Sequence, residues 1–128
     1  MILLPQCEPT LHMVAMPPDC NYTGDVFGGR VMAQIDIAGS IPAHTRARGR
    51  VVTVAVNSFV FKQPLLMGDV VSFYAERLKI GRTFLTVKVE VYVQRDPVKP
   101  ICAKVTEAML TYVAVGEDRR PRIVPPDE

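Results

Sequence analysis

Within residues 82–95 apolar and polar side chains alternate without a break from Leu85 to Gln94. Leu85, Val87, Val89, Val91 and Val93 are interleaved with Thr86, Lys88, Glu90, Tyr92 and Gln94. Successive side chains of a strand point to opposite faces, so this period of two predicts a strand with one buried and one polar face. Residues 50–61, 70–80 and 101–115 are also rich in β-branched and aromatic residues and end at turn signals: Pro64, Gly81 and the run Gly116-Glu117-Asp118. A different period follows Gly28-Gly29. Val31, Ile35, Ala38 and Pro42 recur at i, i+4, i+7 and i+11, which predicts one face of a helix. Gly39 is a weak spot in that helix, Pro42 lacks the N–H that would bond Ala38 and predicts a kink or a tightening, and Gly49 predicts the end. A short apolar segment at 10–16, stopped by Pro17-Pro18-Asp19, reads as a first strand, and 20–25 reads as a turn.

The predicted order is therefore strand, helix, then four strands. Short connections make consecutive strands antiparallel, because parallel ones need crossovers of a dozen residues or more. One helix with one antiparallel sheet is an α+β domain, and its economical packing wraps the sheet around the helix, the hotdog arrangement. Open edge strands in such a sheet predict dimerisation through the edges. The chain of 128 residues is read as one domain, 1–128, with a core over about 10–116 and frayed, proline-punctuated termini. Its 48% apolar content suffices for a core without staples. Fifteen basic against thirteen acidic residues give a net charge of +2, too small and too interspersed to argue for a nucleic-acid face. The longest apolar run, around Val54-Ala55-Val56, is far short of the roughly 20 residues a membrane span needs, and no membrane partner is expected. Met1-Ile2-Leu3-Leu4 has no basic flank and runs into Pro5, so no signal peptide is expected. Three cysteines without paired spacing, and His12 and His44 far apart, predict free thiols in a reducing cytoplasm and no metal site.

The candidate chemistry lies in 21–36. Gly28-Gly29 stands at the start of the helix, where backbone N–H groups are unpaired and the helix dipole favours negative charge. Glycine permits close approach to those groups, which suits an oxyanion hole for an acyl carbonyl. The same pair could equally serve only to let the helix pack under the sheet. Asp36 lies two turns further on, beside Ile35 and Ile37, at a position where Asp is about 0.5 kcal/mol worse than Ala. A carboxylate there is either a functional group or half of a surface ion pair. Asn21 by itself reads as a turn residue. No phosphate-binding glycine motif and no Ser-His-Asp or Cys-His grouping is present.

Several blocks together carry a resemblance: Ala15-Met16-Pro17; the stretch 21–36 with Gly24-Asp25-Val26-Phe27-Gly28-Gly29; Arg50-Val51-Val52-Thr53-Val54; Pro64 with Gly68-Asp69-Val70-Val71; Gly81-Arg82-Thr83; and Tyr112-Val113-Ala114-Val115. In this order and spacing, over about 11–125, the chain resembles the acyl-CoA thioesterases of the hotdog superfamily, most closely their small bacterial YciA-type branch. The resemblance implies hydrolysis of acyl-CoA to a free acid and CoA without metal or cofactor. It implies that Asp36 is the catalytic carboxylate, as general base on water or as a nucleophile forming a transient anhydride. Gly29, with Gly28 beside it, would offer its N–H to the thioester oxygen, and Asn21 would orient water or carbonyl. In that family the Asn and the Asp of one site come from different protomers, so a homodimer is the minimum, and the branch favours a hexamer as a trimer of dimers. Gly81, Arg82 and Thr83 resemble the segment lying along CoA, with Arg77 and Lys79 as lesser helpers. The chain departs from the pattern at Thr23, at Phe84 where Ser is common, and at Pro42. Two other readings stand beside the hydrolase: an acyl-CoA-binding sensor on the same fold, and a hydroxyacyl-thioester dehydratase, whose chemistry wants a histidine in the site.

Overall fold

The computed structural model describes residues 3–57, 60–99 and 101–127. Strand β1 (Leu11–Val14) is followed by a one-turn 3-10 helix (Pro17–Asp19), helix α1 (Gly28–Ala47), and strands β2 (Val51–Asn57), β3 (Val70–Ile80), β4 (Phe84–Arg95) and β5 (Ile101–Ala114). All pairings are antiparallel and the sheet order is β1-β3-β4-β5-β2. The predicted elements are present, but the order adds something. Strand β2 does not pair with its sequence neighbour β3; it lies at the far edge beside β5. The predicted strand at 50–61 ends at Asn57, residues 58–59 lie outside the described set, and Val60 to Pro64 is irregular.

The period-two face of β4 is buried as expected: Leu85, Val87, Val89, Val91 and Val93 are sealed from solvent. With Val71, Phe73, Val105 and Leu110 the four valines pack on Val31, Ile35, Ala38 and Ala43 of α1, while Leu85 packs beside Ala47 and Ala114. At about 1.5–3 kcal/mol for each large apolar side chain buried, this layer is the main stabilising contribution. Tyr92 departs from the alternation. It is buried on the opposite face, with its ring edge-on to Tyr74 at a centroid distance of 5.6 Å, next to a register shift between Val91 and Tyr92.

The helix runs through Pro42 without ending, and its buried stripe continues through Ala43 to Ala47 rather than through Pro42, which stays half-buried. Its C-terminal residue in the left-handed region is Arg48 (φ 56°), one residue before the expected stop at Gly49, and the Arg48 and Gly49 N–H groups both donate to the carbonyl of His44. The C-terminal segment is not frayed. Val124 is buried against Ala47, Leu85 and Ala114. Arg122 donates from Nη2 to the carbonyl of Ala47 (2.8 Å) and from Nε to that of Val115 (3.0 Å), so a cation meets the negative end of the helix. The packed chain therefore extends past 116 because an arginine and one valine give its tail something to bind.

Candidate active site

The turn before α1 is built around Asn21. Its side-chain oxygen accepts from the Thr23 N–H (3.0 Å), the Thr23 hydroxyl (2.7 Å) and the Asp25 N–H (3.1 Å). Thr23, a departure from the family pattern, is thus a working part of this turn. Gly24 adopts φ 89°, a conformation that side-chain-bearing residues rarely take. The turn is fastened to the helix start by Asp19, which accepts from the Met16 N–H (2.9 Å) and from Arg30 Nε (2.7 Å). Those two donors hold the Asp19 carboxyl below its usual range.

Phe27 precedes the helix and supplies no side-chain cap. Among the described residues, the N–H groups of Gly28 and Gly29 have no hydrogen-bond partner, whereas those of Arg30 and Val31 bond the Phe27 carbonyl. The two glycines differ in surroundings. A Cβ on Gly28 would lie 3.4 Å from the Phe61 ring, but one on Gly29 would meet nothing within 4 Å. Gly29 is therefore exposed, with an N–H that has no partner among the described residues. Beside it a cavity of about 330 Å³ is lined by Val26, Gly28, Val31 and residues 61–65.

Asp36 lies on the flank of α1 next to the β2 edge. Its Oδ1 receives the Thr53 hydroxyl at 2.6 Å and lies 3.1 Å from the Tyr112 hydroxyl, which also donates to the Asp36 backbone oxygen at 2.8 Å. Thr53 and Tyr112 face each other across the β2–β5 pairing, at the point where the β2 register shifts between Thr53 and Ala55. Oδ2 accepts no hydrogen bond among the described residues. The carboxylate is thus held by one oxygen and free at the other, and among the described residues it is not half of an ion pair. Both hydroxyls stand in blocks that carry the family resemblance, but the sequence assigned them no role. Their only signal was cross-strand pairing, which needs the register of two distant strands.

The structure does not join all the expected groups. Asn21 makes no hydrogen bond to Asp36. Gly29 and Asp36 are seven residues apart on one helix, hence separated by about 10 Å at 1.5 Å per residue. Gly81, Arg82 and Thr83 form the β3–β4 hairpin turn. The Gly81 N–H bonds the Phe84 carbonyl (2.7 Å), and the turn is tied to the chain's end by Ala114 N–H to Thr83 and Val124 N–H to Arg82. The Arg82 side chain is exposed, with no partner among the described residues. Phe84 lays its ring on Gly81, where a Cβ would fall within the ring, and the Lys79 ammonium is 5.8 Å from its centroid. The substitution therefore fills the hairpin and leaves the helix face alone. Arg77 lines a separate groove with Thr10, Ile41, Pro42 and Thr45.

His12 sits on β1 with Nδ1 3.3 Å from the Ser72 hydroxyl, and His44 is exposed in the last turn of α1; neither contacts Asp36. All three cysteines are free, and burial together with Asp19, Asp25 and Asp69 raises the Cys20 thiol above its usual value. No group of three or more His, Cys, Asp or Glu side chains among the described residues could hold a metal ion. No helix among them is long and apolar enough to cross a membrane.

The model of the thioesterase superfamily matches residues 23–99. The chain belongs to that superfamily. It is 46% identical over 123 residues to the acyl-CoA thioester hydrolase YciA of Salmonella typhimurium, covering 94% of this chain and 92% of that one. Its fold is the hotdog. It superposes with a TM-score of 0.88 on the hexameric hotdog fold thioesterase Cj0915 of Campylobacter jejuni, at 40% identity and covering 95% and 93% of the two chains. An acyl-CoA hydrolase of Staphylococcus aureus, solved with butyryl coenzyme A, is similar at a TM-score of 0.82 and 28% identity, covering 92% of this chain and 74% of that one. Aspartate-to-alanine and threonine-to-alanine variants of that enzyme have also been solved. Their altered positions lie 17 residues apart, the separation of Asp36 and Thr53.

Proposed function

We propose that this protein hydrolyses acyl-CoA thioesters to the free acid and CoA, with Asp36 as the catalytic carboxylate. The observation that carries the reading is the Asp36 geometry in a chain of this family: one oxygen held by Thr53 and Tyr112, the other open. Oδ2 takes a proton from water, and the water oxygen attacks the thioester carbonyl. The carbonyl oxygen gains charge and is met by the Gly29 N–H, with Gly28 beside it at the positive end of α1. The tetrahedral intermediate collapses, the C–S bond breaks, and the CoA sulfur leaves with a proton. A thioester carbonyl is electrophilic enough that this route uses no metal or cofactor. Direct attack by Oδ2 would instead form an anhydride. Single turnover in ¹⁸O-water tests this second route, because water attacking the Asp36 carbonyl of the anhydride places label in the Asp36 carboxylate, which the general-base route cannot do.

Gly29 and Asp36 lie about 10 Å apart along one rigid helix, and Asn21 makes no hydrogen bond to Asp36, which supports a site divided between protomers as in the resembling family. The working site therefore combines Asp36 of one protomer with Gly29 and Asn21 of the partner subunit. The open β2 edge, with Val52, Val54 and Val56 partly exposed, supports a homodimer through that edge. The hexameric state of the Campylobacter relative supports a trimer of dimers. The exposure of Arg82 on the Gly81–Thr83 turn supports its meeting a CoA phosphate. Free thiols and a CoA substrate fit the cytoplasm.

Release of CoA thiol from short-, medium- and long-chain acyl-CoAs tests the reading. Turnover by the native protein and a loss of at least about 10²-fold in Asp36→Ala are expected. Binding of acyl-CoA without thiol release would overturn it in favour of a sensor.

A further inference from the structure

Tyr112 is the largest fully buried side chain described in this protein, yet it ends in a hydroxyl. An inward phenylalanine would fill the same core position. The hydroxyl reaches the helix only because residue 39 is glycine: a Cβ there would stand 2.5 Å from the hydroxyl oxygen and 3.3 Å from two ring carbons. The sequence thus accepts a poor helix former in the middle of α1 and thereby admits one oxygen atom. That oxygen donates to the Asp36 backbone carbonyl and lies within hydrogen-bond distance of Oδ1. Burial foremost, then the neighbouring Asp36 charge, raise the Tyr112 ionisation far above its usual value, so it remains a donor.

Resting on the hydrolase reading above, we propose that Tyr112 is a positioning residue for Asp36 and that Gly39 is the gap that admits it. The backbone carbonyl of Asp36 is fixed by the helix, so a hydroxyl anchored on it occupies a fixed place beside the carboxylate. Thr53, its cross-strand partner, approaches the same Oδ1 from the sheet. Between them the two hydroxyls fix the rotation of the carboxylate, and Oδ2 is left facing outward. Tyr112 is buried and cannot touch substrate, so its effect acts through Asp36 alone.

The test compares Tyr112→Phe, Gly39→Ala, the double variant and Asp36→Asn in the full assembled protein, with CoA release from the best-hydrolysed acyl-CoA as readout. Tyr112→Phe should lower kcat about tenfold, with KM within twofold of native, since a freed carboxylate spends less time in the productive rotamer. Gly39→Ala should lower kcat similarly by displacing the hydroxyl, and the double variant should be no worse than either single. Additive losses would show that the residues act separately and overturn the proposal. So would a Tyr112→Phe kcat within twofold of native, or a loss confined to KM. Failure of the underlying reading has its own signature: Asp36→Asn would retain activity, whatever Tyr112→Phe does.

Discussion

Two inactive variants should restore each other if the site is shared between protomers. Asp36→Ala removes the carboxylate, and Gly29→Pro removes the free N–H. The proline is chosen from the structure. It falls in the first helical turn, where the N–H has no intrahelical partner to lose, and nothing lies within 4 Å of a side chain there. The usual clash with the preceding residue is reduced because Gly28 has no Cβ. Alone, each variant should lose roughly 10²–10³-fold in kcat. In a dimer of one chain of each kind, one of the two sites draws its Asp36 and its Gly29 from the unaltered positions, and the other carries both changes. Random mixing makes half of the dimers mixed, so about a quarter of native activity should return. The assay is CoA release after the two purified variants are unfolded together and refolded, against each refolded alone. If the site lay within one chain, every chain would still carry a lesion and activity would stay at the sum of the parents. That outcome would refute the shared site.

The buried Asp69 carboxylate accepts Arg95 Nε (2.9 Å) and Nη2 (2.7 Å) and the Leu66 N–H (2.8 Å). Arg95→Met should destabilise by about 2–3 kcal/mol, below the usual figure for a broken buried pair because the Arg95 side chain is 28% exposed; a fall in Tm near 10 °C would be read by calorimetry, and an unchanged Tm would show that the pair is decorative. Arg122→Ala should cost about 1–3 kcal/mol in denaturant titration by freeing the chain end from the helix, with kcat per folded molecule unchanged. On the outer sheet face, burial raises the Glu90 carboxyl, but Lys104, Lys88 and Tyr92 more than offset this and hold it below 4.5; the Glu90 hydrogen bond holds Lys104 above 10.5. The Glu90 contribution is present above pH 4.5 and lost as pH falls through its lowered value, while that of Lys104 is present below pH 10.5 and lost as pH rises through its raised value. Glu90→Gln should therefore flatten stability against pH at the acid end, and an unaltered acid slope would assign that slope to other carboxylates.

The elements were legible wherever one residue's neighbours along the chain decide its environment. Valines at every second position forced β4 to bury one face, and Gly28-Gly29 marked the helix start, because both are local patterns. The placement of β2 was not local. Nothing between Val51 and Asn57 states that this strand lies beside β5, because edge position is decided by which faces remain uncovered after β3, β4 and β5 have packed on the helix. The same limit hid half of the candidate site. Asp36 stood out as a carboxylate among isoleucines, but its partners are a threonine 17 residues away and a tyrosine 76 residues away, joined only by the β2–β5 register. Gly39 shows how such a relation can still leave a mark. In the sequence it is a defect in a helix, with no cause among its own neighbours. In the fold it is the one position where a Cβ would strike the hydroxyl that holds the carboxylate. A local rule broken without local compensation is thus evidence of a distant contact, and here that contact leads to the chemistry.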